Sequence, residues 1–232
     1  MSNPYFRFKQ FTVFHDQCAM KVGTDGVLLG AWADCSQAAK ILDIGTGSGL
    51  IALMLAQRSN ALIDALDIDE NACKQAKYNV ENSIFKERIQ VIQSDFNDFN
   101  ADYKYDLIVS NPPYFTNSLP APDKQRNIAR HNHALSFEIL LKKSTTLLTE
   151  KGKIALILPY DAENQMQSFA ENSGLFLCRK TVVLPKPDAA PKRILLEYSK
   201  TKTKPEISEI YIEKERHVYS DDFRKLTEGF YL

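Results

Sequence analysis

Lys40-Ile41-Leu42-Asp43-Ile44-Gly45-Thr46-Gly47-Ser48-Gly49-Leu50 and the apolar run to Arg58 read as a strand, a tight turn and a helix. Lys40 to Ile44 is a short, largely aliphatic segment ending near a carboxylate, the pattern of a buried strand. Three glycines in five residues let the chain turn sharply and let a ligand approach the backbone closely. Leu50 to Arg58 is apolar nearly all round, so its helix is expected to be buried. This order of elements opens the nucleotide site of a doubly wound α/β fold. The spacing narrows the ligand. A dinucleotide fingerprint runs G-x-G-x-x-G, whereas here it is G-x-G-x-G with Leu50 in the place of the last glycine. Asp43 sets a negative charge at the strand end, which suits an ammonium better than a pyrophosphate. S-adenosylmethionine carries an ammonium and no phosphate. Asp43, Gly45, Gly47 and Gly49 are therefore candidate contacts to that cofactor.

Downstream, the same edge recurs. Ala61 to Leu66 reads as a second strand closing on Asp67, which stands 18 residues past Gly49 and is placed to accept ribose hydroxyls. Asp69 is expected to cap a helix from Glu70 to Asn82. Ile89 to Gln93 is a third strand. Asp95 after it is placed to accept from the adenine amino group, and Phe96 to touch the ring. Any one of these acids is explained by a cap or a turn, but three at successive strand ends point to a ligand edge. The fourth strand, Asp106 to Ser110, stops abruptly at Asn111-Pro112-Pro113-Tyr114. Two prolines supply no N–H donors, and Pro112 forces Asn111 toward an extended backbone. The Asn111 amide oxygen, which also borders the cofactor, and the Pro112 carbonyl can accept both hydrogens of a planar amino group while Tyr114 stacks on its ring.

The remaining elements extend this pattern. A polar loop runs to about Ala134, and a loop this long inside a compact domain is often functional. Helices are expected over Phe137–Thr149 and Glu163–Asn172, with a strand over Lys153–Pro159 between them. Phe176–Leu184 and Arg193–Tyr198 read as a hairpin joined by Pro185 to Lys192. Residues 206–214 read as an added strand and Tyr219–Leu232 as a short helix. Upstream, residues 5–14 alternate like short strands, and Thr24 or Asp25 is placed to cap a helix ending at Ala33. This divides the chain into an amino-terminal arm, 1–33, expected across one sheet edge, and a main domain, 34–232, in one structural unit.

Composition excludes several classes. The 232 residues are 44% hydrophobic with a net charge of zero, so bulk charge selects no partner. Charge is uneven: residues 60–106 hold ten acids against five Lys/Arg, and residues 185–204 hold six Lys/Arg against two acids. Cys18, Cys35, Cys73 and Cys178 are scattered and make no ligand spacing with the histidines, which argues against structural zinc or a disulfide framework. No run approaches a membrane span. The expectation is a cytoplasmic, reduced protein without metal.

Together these motifs resemble the class I methyltransferases, whose seven-stranded, Rossmann-like sheet has its last strand inserted antiparallel. Phe8-Lys9-Gln10-Phe11, His15-Asp16, Cys18 to Gly26 and Leu28 to Ala33 look like the start of the bacterial valine-tRNA adenine N6-methyltransferases. So do Gln125-Arg126, Ala129-Arg130 and the closing Phe230-Tyr231-Leu232. The amino-terminal block is the most specific part. The resemblance implies methylation of N6 of adenine 37, beside the anticodon of a valine tRNA, with S-adenosylmethionine as cofactor. On that reading Lys9, Arg126, Arg130, Lys192 and Arg193 would carry the RNA backbone at the site mouth. Two other readings remain: a protein glutamine N5-methyltransferase, which also needs a site for a planar amide, and a non-catalytic RNA-binding protein that kept the fold. Oligomeric state is open.

Overall fold

The computed structural model describes residues 3–18, 21–113 and 135–232. The arm begins with a hairpin of β1 (Tyr5–Arg7) and β2 (Thr12–Phe14), followed by helix α1 (Thr24–Trp32). A β/α alternation follows: β3 (Lys40–Ile44), α2 (Leu50–Arg58), β4 (Leu62–Asp67), α3 (Glu70–Glu81), β5 (Ile89–Gln93) and β6 (Tyr105–Ser110). From residue 135 onward come α4 (Phe137–Leu147), β7 (Leu148–Pro159), α5 (Glu163–Asn172), β8 (Phe176–Leu184), β9 (Arg193–Ser199) and β10 (Glu206–Tyr211). A small hairpin, β11 (Glu213–Glu215) with β12 (Val218–Tyr219), precedes α6 (Asp221–Thr227).

The main sheet runs β10-β8-β9-β7-β6-β3-β4-β5. β3 to β7 are mutually parallel, and β9 enters antiparallel between β7 and β8. This is the expected doubly wound sheet with its inserted strand. β10, parallel to β8, makes the count eight rather than seven.

Side chains alternate across the sheet, so each strand feeds two cores. Ile41, Ile63, Leu107, Ile157 and Leu195 pack with α1, α2 and α6 on one face. Leu42, Ile44, Ile108, Leu156, Ile194 and Tyr198 pack with α4 and α5 on the other. Helix α2 is buried from Leu50 to Ala56, and each such large aliphatic side chain contributes about 1.5–3 kcal/mol. Gly26 and Gly30 let α1 lie tight against it. A Cβ added there would stand 2.9 Å from Leu50 Cδ2 and 2.7 Å from Met54 Sδ.

Three expectations are corrected. The arm does not cross a sheet edge; α1 joins α2 in a helical layer, and β2 packs on α3. Neither Thr24 nor Asp25 caps α1. The extended backbone of Gly23 precedes it without a side-chain cap, and Asp25 pairs with Arg193 instead. Strand β7 starts at Leu148, five residues earlier than expected, and cuts α4 short. Its ladder to β6 is irregular, pairing Tyr105 with Leu148 and then Leu107 with Lys153. Gly152 fits inside that irregularity, because an added Cβ would stand 2.8 Å from the Tyr105 carbonyl oxygen. Asp69 does cap α3, accepting from the Ala72 amide at 2.8 Å. Among the described residues, no helix is long and apolar enough to cross a membrane, and no group of three or more His, Cys, Asp or Glu is arranged to hold a metal.

Candidate active site

Strand register lines up the carboxyl edge. Ile44 pairs with Ser110 on one side and Leu66 on the other, so Asn111, Gly45 and Asp67 follow three adjacent strands at one level. Asp67 pairs with Gln93, and the Ser94 amide donates to the Asp67 carbonyl at 2.9 Å, which sets Asp95 next in the row. Strands lie about 4.8 Å apart, so the row from Asn111 to Asp95 covers roughly 14 Å. Ser110 Oγ donates to the Ile44 carbonyl at 2.8 Å and ties the first two strand ends together.

The glycine turn stands at the centre of this row. Gly45, Gly47 and Gly49 have φ of 73°, 58° and 82°, the left-handed region that favours glycine. The Gly45 and Thr46 amides donate to the Leu66 carbonyl at 2.8 and 2.9 Å, which folds the turn over β4. A Cβ added at Gly45 or Gly47 would meet nothing within 4 Å, whereas one at Gly49 would touch Ala76 of α3 at 3.4 Å. The first two glycines thus leave backbone open to a ligand, and the third serves helix packing.

Asp43 lies under the turn and is fully buried. Its Oδ2 accepts from Thr46 Oγ1 at 2.6 Å, and its Oδ1 has no hydrogen-bond partner among the described residues. Burial pushes the carboxyl up to about 7; the Thr46 hydroxyl and the nearby Ala52 amide oppose that rise, and the Asp67 charge adds to it. An orphaned carboxylate oxygen costs free energy until a donor meets it. The ammonium of S-adenosylmethionine is such a donor, so these residues fit that cofactor. Thr46 was missed in the sequence, although a hydroxyl three residues after the acid inside a turn was a readable signal.

Asp67 is half-buried. Its Oδ2 accepts from the Gly47 amide at 2.8 Å and its Oδ1 from the Asp69 amide at 2.9 Å. Both oxygens are thereby held still, with lone pairs to spare for two hydroxyls. Asp95 Oδ1 accepts from the Asn97 amide and side chain at 2.8 and 2.9 Å, a turn that fixes the carboxylate at the row's end. Phe96 departs from expectation. It is 5% exposed and sunk among Ile44, Leu66 and Phe99, so its ring is core rather than a free face for adenine.

Asn111 is half-buried and Pro112 buried where β6 leaves the sheet. Tyr114, Arg126 and Arg130 lie outside the described residues. Lys192 is exposed on the β8–β9 loop, whose strands put it at the same edge: the Tyr160 amide, just past β7, donates to the Lys192 carbonyl at 3.2 Å. Arg193 is at that edge too, but its Nε donates to Asp25 at 2.7 Å. Lys9 is not brought there. Its amide donates to the Phe230 carbonyl and its ammonium to the Glu228 carbonyl, beside Gln57 in the last turn of α2. At 1.5 Å per residue, that is roughly 10 Å along α2 from the glycine turn. A cavity of about 310 Å³ opens at the other end of the strands, between Lys40, Asp64, Tyr103 and Tyr105. There Asp64 Oδ2 accepts from both tyrosine hydroxyls at 2.7 and 2.6 Å, closing the base of the sheet away from the glycine turn.

Residues 21–168 match the Methyltransferase small domain family. The tRNA1(Val) (adenine(37)-N6)-methyltransferase of Parabacteroides distasonis is 54% identical over 100% of this chain and 99% of that protein. The protein of the same name from Trichodesmium erythraeum is 48% identical over the same shares. Among solved structures, a glycopeptide N-methyltransferase complexed with S-adenosyl-L-methionine matches with a TM-score of 0.56 at 14% identity, covering 78% of this chain and 90% of that one. A protein from Agrobacterium tumefaciens described as a predicted O-methyltransferase matches with a TM-score of 0.68 at 18% identity, covering 89% and 96%. These two likenesses concern the fold alone. An eight-stranded methyltransferase sheet, a glycine turn over a buried acid and full-length identity to curated relatives lead to one conclusion: this chain belongs to the Methyltransferase small domain family of S-adenosylmethionine-dependent enzymes.

Proposed function

We propose that this protein transfers a methyl group from S-adenosylmethionine to the exocyclic N6 of adenine 37, beside the anticodon of a valine tRNA. Full-length identity to relatives that carry this activity in their names is the observation that bears most weight. The cofactor supplies an electrophilic methyl group on a sulfonium. Asp43 would hold its ammonium, Asp67 its ribose hydroxyls and Asp95 its adenine amino group, and Asn111 stands at the same edge to meet the acceptor. The N6 lone pair is delocalised into the purine, so the amine is a weak nucleophile. Asn111 and the Pro112 carbonyl accept its two hydrogens, draw the lone pair out of conjugation and stabilise the charge that forms on nitrogen. Alignment supplies the other part of the rate. Tyr114 would stack on the base once it has left its stack within the anticodon loop. The arm, 1–33, and the main domain, 34–232, act as one unit, since α1 lies along α2 and Asn79 bonds Phe14.

The direct test is incubation with labelled S-adenosylmethionine and unmodified valine tRNA, followed by nucleoside analysis. N6-methyladenosine at position 37 is the expected product. Label on a protein glutamine, or none on RNA, refutes the assignment.

Cofactor binding gives a separate measurement. Asp67→Ala is expected to weaken S-adenosylmethionine binding by about 1–3 kcal/mol in calorimetry, the scale for leaving polar partners unsatisfied. Unchanged affinity would place the ribose elsewhere.

The RNA path is read from the edge. Exposed Lys186 and Lys192 stand on the β8–β9 loop, and Arg126 and Arg130 are proposed as further phosphate contacts. Each phosphate contact lowers the log–log salt slope by about 0.7 for a single strand. Lys192→Ala, Arg126→Ala and Arg130→Ala are each expected to weaken tRNA binding and flatten that slope. Lys9→Ala should leave the slope unchanged, because Lys9 is engaged at the far end of α2. A wild-type slope in all three variants would mean that these residues do not touch phosphate.

A further inference from the structure

One side chain joins the arm to the cofactor turn. Asn79 lies in α3 and is 1% exposed. Its Oδ1 accepts from the Phe14 amide at 2.9 Å, and its Nδ2 donates to the Phe14 carbonyl and to the Ser48 carbonyl, each at 2.8 Å. Phe14 ends β2 in the arm. Ser48 lies in the glycine turn, one residue before the left-handed Gly49. One helical turn earlier in α3, Gln75 is also 1% exposed and accepts from the Gln17 amide at 3.0 Å. The arm therefore runs along α3 toward its start, where Asp67 and Asp69 stand. Cys18 comes next. Burial pushes its thiol up to about 11, and the charges of Asp67 and Asp69 add to the rise, so this part of the arm lies within the field of the ribose-binding acid.

We propose that Asn79 is a positioning residue for S-adenosylmethionine, and that the arm it fastens is part of the cofactor site. A carboxamide has two N–H donors, and Asn79 divides them between the arm and the glycine turn. Neither bond can move without disturbing the other, because both leave one planar group that is shut away from water. Loss of the side chain would strand both backbone groups of Phe14 and the Ser48 carbonyl, and buried unpaired groups of this kind force the backbone to shift. Ser48 is the turn residue between the open Gly47 and the start of α2, so a shift there displaces the backbone that the cofactor approaches. Linkage makes the effect reciprocal. A cofactor that favours one shape of the turn also favours the docked arm, and a docked arm raises cofactor affinity by the same factor.

The test uses the full-length protein and S-adenosylmethionine alone, without tRNA. Hydrogen exchange at the Phe14 and Gln17 amides is measured with and without cofactor, and affinity is measured by calorimetry. In the wild type, the cofactor is expected to slow exchange at both amides. Asn79→Ala should bind about tenfold more weakly, within the usual range of coupling between sites, and should lose the cofactor-dependent slowing. Gln75→Ala frees the arm at Gln17 but keeps the Ser48 bond, so it should lose less affinity. Arm exchange that ignores the cofactor in the wild type overturns the proposal. So does a folded Asn79→Ala protein with wild-type affinity. If Asn79→Ala does not fold, the wild-type exchange result decides alone.

Discussion

Asn111→Ala is expected to lower turnover about 100-fold or more while S-adenosylmethionine affinity stays nearly intact, since removing one preorganised polar contact to a developing charge has this scale. The expectation follows from where β6 stops. Ile44 and Ser110 are paired, and Ser110 Oγ bonds the Ile44 carbonyl, so Asn111 emerges directly beside Gly45. On the proposed reaction its side chain would meet the acceptor amine, whereas Asp43, Asp67 and Asp95, the acids proposed to hold the cofactor, stand at the ends of the other three strands. Single-turnover rates at saturating cofactor, together with calorimetric affinities, separate the two contributions. A variant that keeps near-normal turnover would remove Asn111 from the chemistry, and one that loses cofactor affinity in parallel would move it to the cofactor side.

Cofactor affinity should rise with pH between 6 and 8, and Asp43→Asn should abolish that rise. Burial holds the Asp43 carboxyl at about 7, against an ordinary value of 3.8. The charged neighbour facing it is Asp67, which raises it further; the Thr46 hydroxyl and the Ala52 amide oppose the rise. Only the ionised form pairs with an ammonium. Below pH 7 binding must therefore drive off a proton, and affinity falls by up to about tenfold per pH unit. Above pH 7 the curve flattens. The unliganded protein should show the opposite trend. Folded Asp43 holds its proton to higher pH than unfolded Asp43, so its contribution to stability, full below 3.8, is lost as pH rises to about 7. Calorimetry in buffers of different ionisation enthalpy counts the proton directly. A flat wild-type profile across pH 6 to 8 would mean that Asp43 is ionised before the cofactor arrives.

Local pattern carried most of the architecture. The edges of β5, α2 and α5 were readable to the residue, because apolar periodicity and turn residues act within a few positions. Asp43, Asp67, Asp95 and Asn111 could be placed on one edge from sequence, since each lies at or just past the end of a strand and parallel strands share an edge. Other features were set by partners far away in the chain. Asp25 looked like a cap until Arg193, 168 residues on, claimed its carboxylate. Phe96 looked like a ring for adenine, but the core beneath β3 and β4 needed it more. Lys9 looked like part of a basic rim, yet the chain end near Glu228 holds it elsewhere. Asn79 gave no signal at all. Its importance comes from two segments, around Phe14 and Ser48, that only the fold brings together.

The antiparallel strand has a consequence for how the protein is made. β9 lies between β7 and β8, and its residues complete both cores, Leu195 on one side and Ile194, Leu196 and Tyr198 on the other. β3 to β7, whose carboxyl ends form the candidate site, leave the ribosome before β9. They cannot be closed until residues 193–199 follow, and until then β7 and β8 each present an unpaired edge and β7 lacks its neighbour. Exposed strand edges of this kind are what aggregation and chaperone capture act on. A nascent chain halted before Arg193 therefore holds every cofactor-edge residue and still has no finished sheet, so the enzyme's most vulnerable moment comes late in translation.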